Sequence, residues 1–367
     1  TGNRNAKNDG SEKQQEVNSS SFTNTASIYG IADAMTSGTN LNLYNNSVYV
    51  GGTAVSGAAN SYAYLRFSGT NVNLRNNLLY NGRTGGTGFH YAIGNTNAST
   101  TTGWPSSSSD YNAFVTVDSS FIGEWGTGVS QSIDQWRISS TGDVNSWYAK
   151  TSQITAANLF TSVSTGDLHV NSSNSAAWLV SGKGMPLGTI SVDFDGNARS
   201  TSIAGGVTDI GADEFAATPP SNPVALQSAA PSSGGTTDYV LYGRKIASIT
   251  WGTGGTYPSS MNVNYFSGVT PLAPNVTNPQ RVSNSYWSIN PSTGTFGGTT
   301  YDVSLFYGDN ETFSITSPST NVLIAKNDNT FWMSYPRGTG NLQSEQSSGP
   351  NSAKVRGLFR FSTFTLT

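Results

Sequence analysis

The ten residues Asn40-Leu41-Asn42-Leu43-Tyr44-Asn45-Asn46-Ser47-Val48-Tyr49 return as Asn71-Val72-Asn73-Leu74-Arg75-Asn76-Asn77-Leu78-Leu79-Tyr80, 31 positions further on. A shared Asn-Asn pair at a fixed place, within the roughly 20–50 residue window of stacked repeats, means that one structural unit is piled upon itself. Leu41 and Leu43 alternate with Asn40, Asn42 and Tyr44, the period of a strand with one buried face, and Val72 and Leu74 repeat the pattern. The step from Leu43 to Val48 is odd, as is that from Leu74 to Leu79, so a straight strand would turn the second apolar group outward. The chain must therefore bend at the Asn pair. Asn tolerates the left-handed backbone region, and its amide both donates and accepts. Asn45, Asn46, Asn76 and Asn77 are thus expected to form a corner ladder along the axis. A looser third corner falls at Asn112 in Ser109-Asp110-Tyr111-Asn112-Ala113-Phe114, 35 positions after Asn77.

Composition supports many short strands. Charged residues make up 11% of the 367 residues, against about 25% in ordinary globular chains. Turn formers and β-branched or aromatic residues take their place, which disfavours long helices. The net charge of −3 and the lack of any Lys/Arg run exclude the electrostatic footprint of a nucleic-acid binder. There is no cysteine, so disulfides and thiolate metal sites are excluded. No run of about 18 apolar residues is present, and no membrane span is expected. The polar start, Thr1-Gly2-Asn3-Arg4-Asn5, is unlike a signal peptide and reads as the start of a trimmed or mature segment.

Along the chain, residues 1–20 carry local charge (Arg4, Lys7, Asp9, Glu12, Lys13, Glu16) and read as a partial first coil or a lead-in. Coil-type strands are expected from Ser27, with a Gly/Ser/Thr-rich insertion at 82–109 and blurred repeats from Val115 to Val180. Pro219, Pro220, Pro223 and Pro231, with Gly234 and Gly235, mark a linker over 216–235. Beyond it, nine candidate strands run from Tyr239–Tyr242 to Val355–Leu366, including Phe313–Ile315, at the spacing of a sandwich of immunoglobulin-like proportions. The domains are thus expected at 1–215 and 236–367.

Two stretches near residue 200 support a resemblance. Asp193-Phe194-Asp195-Gly196-Asn197-Ala198-Arg199 and Asp209-Ile210-Gly211-Ala212-Asp213-Glu214-Phe215, with the Asn-Asn corners, resemble the right-handed parallel β-helix, or pectin-lyase-like, domains of large bacterial surface proteins. The likeness covers about residues 20–215 and implies that these two stretches close the last coil. Asn284-Ser285-Tyr286-Trp287-Ser288-Ile289 and Gly357–Leu366 are similar to the β-sandwich modules that precede the sorting domain in type IX secretion cargo of Bacteroidetes and relatives. The implied fold is all-β, a right-handed parallel β-helix followed by an immunoglobulin-like β-sandwich. The implied location is the cell surface or the outside of the cell.

Enzymes of the resembled family cleave polysaccharides, through calcium held by carboxylates beside a basic residue or through paired aspartates. The local candidates are Asp193 and Asp195, which on a strand would share one face, with Asp209, Asp213 and Arg199 nearby in sequence. End-capping of exposed backbone groups is the preferred role for this cluster. His90 and His169 are the only histidines and stand in unlike contexts, so no metal pair is expected. No cofactor is expected; calcium is compatible with the acids, but no ligand spacing specifies it. Trp104, Trp125 and Tyr91, in or near the insertions, are candidates for stacking on a glycan, whereas Trp251, Trp287 and Trp332 are expected in the sandwich core. The resulting expectation is a structural or adhesive surface protein that meets a surface, a glycan or copies of itself, with a polysaccharide lyase or hydrolase, or a glycan-binding module, as the alternative.

Overall fold

The computed structural model describes residues 14–18, by backbone only, and 27–367 apart from 98, 217–222, 270, 272–281, 313–321, 328–331 and 347–350. Most of the expected lead-in and the candidate strand Phe313–Ile315 lie outside the described residues. The chain forms two compact units, Thr1–Met185 with Thr189–Arg199 and Thr208–Pro220, and Pro186–Gly188 with Ser200–Val207 and Ser221–Thr367.

The first unit is a β-solenoid of about 4 turns. Its coils feed three larger parallel sheets and one short parallel pair, Thr53–Ala54 with Thr84–Gly85. The first holds Gln14–Asn18, Ser47–Gly51, Leu78–Asn81, Ala113–Thr116 and Trp147–Lys150. The second holds Ile28–Asp33, Ser61–Arg66, His90–Asn95 and Gly123–Trp125, with Ser130–Gln131 antiparallel at its edge. The third holds Asn40–Tyr44, Asn71–Arg75 and Ser109–Asp110. Asn40 pairs with Asn71 and Tyr44 with Arg75, so the repeat of the sequence is the register of the stack. Leu41, Leu43, Val72 and Leu74 point inward, and after the corner Val48 and Leu79 do so too. The odd step is absorbed by Asn45 and Asn76, which adopt positive φ values of 52° and 56°.

In the last coil the third-sheet strand is replaced by helix Ile133–Ser140. Ser132 caps it and Gln135 returns the bond, a reciprocal pair written in the sequence as Ser-x-x-Gln. Trp136 on this helix lies against Gly123, where a Cβ would come within 2.3 Å of the indole; this close approach requires glycine.

Residues from about 150 to 215 do not continue the stack. Those that belong to this unit, 150–185, 189–199 and 208–215, turn back along its flank. Tyr49 and Tyr80, outward on successive strands of the first sheet, are covered by Phe160 at ring distances of 6.0 and 5.8 Å, and the Tyr80 hydroxyl donates to the Ile154 carbonyl at 3.1 Å. Gly211 N donates to Asn76 O at 2.8 Å and Ala212 N to Ser47 Oγ at 3.0 Å. The stretch expected to close the last coil is thus fastened side-on to two inner coils by hydrogen bonds to Asn76 and Ser47.

The second unit is built of two antiparallel sheets. One runs in the order Leu226–Gln227, Thr236–Leu241, Arg244–Trp251, Tyr301–Phe306, Ser352–Leu358, Ser344–Gln346. The other runs Ser260–Ser267, Ser285–Thr293, Ser362–Leu366, Ile324–Asn327, Trp332–Ser334. Trp251, Trp287 and Trp332 are all buried, and Trp287 Nε1 of one sheet donates to the Ile246 carbonyl of the other at 2.9 Å. The single strand expected over 355–366 is two strands, one in each sheet. Gly357, at φ 69°, lies just before the crossing. Part of the expected linker is also structured, since Leu226–Gln227 pairs with Tyr239 and Val240.

Candidate functional site

Two polar constellations in the solenoid unit concern function. The first is the corner. Asn46 Nδ2 donates to Asn77 Oδ1 at 2.8 Å, Asn77 Nδ2 to Asn112 Oδ1 at 3.0 Å and Asn112 Nδ2 to Asp143 Oδ1 at 3.0 Å. Each acceptor oxygen on Asn77 and Asn112 also takes the backbone N–H of the Asn one coil below, at 3.2 and 2.9 Å. The ladder is buried and made by the second Asn of each pair. The first Asn of each pair turns the chain at positive φ. Asn76 also clasps the returning chain, since its amide donates to Met185 O at 2.7 Å and accepts from Met185 N at 2.8 Å. Asp143 ends the ladder because a carboxylate has no hydrogen to pass on; its other oxygen accepts from Trp136 Nε1 at 2.8 Å.

The second constellation is the acidic cluster of the returning segment. Asp193 and Asp195 are not on a strand with a shared face. A turn carries them between the bridged residues Val192 and Ala198. Asp193 Oδ1 accepts from the N–H groups of Asp195 and Asn197 at 2.9 and 2.7 Å. Its Oδ2 accepts from Asn197 Nδ2 at 3.0 Å and Glu214 N at 2.9 Å. Burial opposes the charged form of this carboxyl, but these donated bonds outweigh it and hold the pKa below the ordinary value.

Asp209 is buried and accepts from Gly182 N at 2.6 Å and Phe215 N at 2.9 Å. Burial, followed by the charge of Glu214, pushes its pKa well up. Glu214 is raised by burial too, against the pull of Arg199. The Arg199 guanidinium, 1% exposed, meets Glu214 Oε2 at 2.5 Å and donates to Gly211 O at 2.8 Å. Asp213 accepts from Val170 N at 2.8 Å and is raised by burial.

One carboxylate oxygen each from Asp193, Asp195 and Asp213 lies within 4.8 Å of the others. Such a set has the hard oxygen chemistry that calcium prefers. All three residues, however, already accept hydrogen bonds from protein donors: four at Asp193, one from Val170 at Asp213 and one from His169 at Asp195. Asp193, whose two oxygens already accept four bonds, would have to give one up to a cation, so no metal is assigned to this set.

His169, which the sequence presents as an ordinary strand histidine, joins the cluster. Its Nδ1 lies 2.5 Å from Asp167 Oδ1 and its Nε2 2.6 Å from Asp195 Oδ2. Nothing in the sequence signals this bridge, because residues 169 and 195 meet only through the fold-back. His90 stands on a different element, bonded to Ser61 Oγ at 2.9 Å and Gly85 O at 3.2 Å. The carbonyl requires Nε2 to carry the hydrogen, leaving Nδ1 to accept from the serine, and burial lowers its pKa.

Of the three residues of the expected glycan platform, Tyr91 and Trp104 are buried and Trp125 is half-buried. Tyr91 is 0% exposed and stacks on Tyr62 at 5.2 Å, beneath Phe89 and Phe121. Trp104, 3% exposed, packs edge-to-face with Trp125 and Trp136 at 5.3 and 5.8 Å. Trp125 is half-buried against the same cluster. Burial of such rings is worth about 1.5–3 kcal/mol per large side chain.

No family model, curated protein or solved structure matches this chain. Among the described residues no helix is long and apolar enough to cross a membrane.

Proposed function

We propose that this chain is a non-catalytic structural or adhesive protein of the cell surface or the extracellular space, whose coil stack holds side loops for contact with a surface, a glycan or further copies of itself. The observation that carries the reading is the use made of the acids: Asp193, Asp209, Asp213 and Glu214 all accept backbone N–H bonds that hold the returning segment in place. A general acid or base needs a lone pair or proton directed at substrate, and both oxygens of Asp193 and of Asp209 are engaged by the protein instead.

The outer face supports the same reading. Asn71 Nδ2 donates to Asn40 Oδ1 at 3.0 Å, Thr53 and Thr84 share a hydroxyl bond at 3.1 Å, and Asn73 Nδ2 donates to the Tyr44 hydroxyl at 2.6 Å. These neutral, repeated amides and hydroxyls suit contact through hydrogen bonds with little salt dependence. The resemblance to pectin-lyase-like surface proteins and to type IX cargo modules supports export to the cell surface. Head-to-tail contacts between copies would make filaments rather than closed rings.

The test combines negative-stain imaging of the native protein with reducing-sugar and unsaturated-product assays on a polysaccharide panel, with and without calcium. Ordered fibres or glycan adhesion without turnover is the expected result. Calcium-dependent product release, lost in a folded Asp193→Ala or Asp195→Ala variant, overturns it in favour of a lyase or hydrolase.

A further inference from the structure

The returning segment of the solenoid unit holds a histidine between two carboxylates, at 2.5 Å from Asp167 and 2.6 Å from Asp195. Both ring nitrogens face acceptors. Only the imidazolium carries a hydrogen on each nitrogen, so only the cation donates to both at once. We propose that His169 is a pH-operated clamp: charged, it ties the turn 193–197 to strand Asp167–Val170, and neutral, it releases one of the two. This inference does not depend on whether the chain is adhesive or enzymatic.

The connections make the clamp consequential. Asp195 sits in the turn whose neighbour Asp193 accepts Glu214 N, and Asp213 accepts Val170 N from the strand of His169 itself. The turn, the strand and the segment 209–215 are therefore linked through one small group of acids. Phe194, 52% exposed, leans edge-on to the imidazole at 6.2 Å and would be the ring most freed by opening.

The charged groups facing the imidazole are Asp167 on its own strand, Asp195 from the turn and Asp213 from the closing segment, with Asp193 behind them. The partner strand Phe160–Ser162 brings no ionisable side chain. Burial pushes the imidazole pKa down, but hydrogen bonds to Asp167 and Asp195 and their charges outweigh it, so the net direction is up from 6.5. Asp167 is held below its ordinary 3.8, first by its bond to His169. A base raised in the fold contributes fully below its unfolded pKa, and the contribution is lost as pH rises through the folded value. A carboxylate depressed in the fold contributes above its unfolded pKa and loses this as pH falls through the folded value. The clamp thus acts from the carboxylate range up to the raised histidine value.

The test is an NMR titration of the full chain, labelled at histidine, from about pH 5 to about pH 8, with amide exchange at Asp195, Asn197 and Glu214 read as protection factors. His169→Gln assigns the signal, since His90 is the only other histidine. His169 is expected to titrate above 6.5 and above His90. Protection at the three amides should fall about tenfold across that step, the scale of losing one charge-assisted bond, while Asn77 and Asn112 hold theirs. Asp195→Asn should lower the titration and remove the step. Titration of His169 at or below the ordinary value, or level protection across it, overturns the clamp; both readouts use the unsubstituted protein and stand even if a variant misfolds.

Discussion

The coil corner and the returning segment solve the same problem with opposite chemistry. Each must satisfy backbone N–H groups at a bend away from regular sheet pairing. The corner uses amides: Asn77 accepts from the coil below and donates to the coil above, so a neutral ladder can run for as many coils as the chain supplies. The returning segment uses carboxylates, which accept strongly but cannot donate. It therefore needs a cation, Arg199 or protonated His169, and its stability is tied to pH. An amide can be repeated, whereas a carboxylate terminates. Asp143 shows the rule at one residue, where the ladder stops.

The contrast can be broken from either side. The largest effect is expected from Arg199→Met, which leaves Glu214 without its cation in a mostly buried site. Removing one partner of such a pair costs about 3–5 kcal/mol, measured by urea unfolding of the solenoid transition. Next, Asn77→Asp places an acceptor-only group mid-ladder, opposite Asn112 Oδ1. The cost should be about 3 kcal/mol at neutral pH, from an uncompensated buried charge and a lost bond. Because that carboxyl has to be protonated to donate, its folded pKa is raised. Stability should then fall as pH climbs from the ordinary carboxylate value through the raised one, a dependence that melting curves against pH would reveal and that the native amide lacks.

Asp193→Asn sharpens the comparison in the other direction by replacing an acceptor of four N–H bonds with an amide. About 2 kcal/mol should be lost near neutrality. The depressed pKa of Asp193 means that the native chain loses stability as pH falls through the folded value, and the variant should lose less over that limb. The smallest effect, about 1 kcal/mol, is expected for Asn46→Ala at the lower end of the ladder. If it matches an Asn77→Ala variant in the same unfolding assay, the ladder is not cooperative along the axis.

Much of the corner was legible in the residues, because a repeat carries its own register. The odd step from Leu43 to Val48 required a bend, and Asn45 provides it in a left-handed conformation. The ladder's last rung was also in reach: Asp143 lies 31 residues after Asn112, the repeat distance itself, although the residue type differs. The capped helix at Ile133 had its Ser-x-x-Gln signature. The acidic cluster was another matter. Its members were visible as a motif, but their hydrogen-bond partners Gly182, Val170 and His169 lie up to 43 residues away. The aromatic rings misled for a related reason, since Trp104 stands in a polar insertion and Trp125 ends a strand of the second sheet, yet both rings pack against Trp136.

The sequence by itself determined the coil stack and the all-β character of both units, because hydrophobic alternation and a fixed repeat are local properties that each coil states again. Only the tertiary structure decided that residues 150–185, 189–199 and 208–215 fold back on the flank and that His169 falls between two carboxylates. Tyr49 and Tyr80 leave an apolar outer face that has to be covered, and which later segment covers it follows from packing in three dimensions rather than from any spacing along the chain.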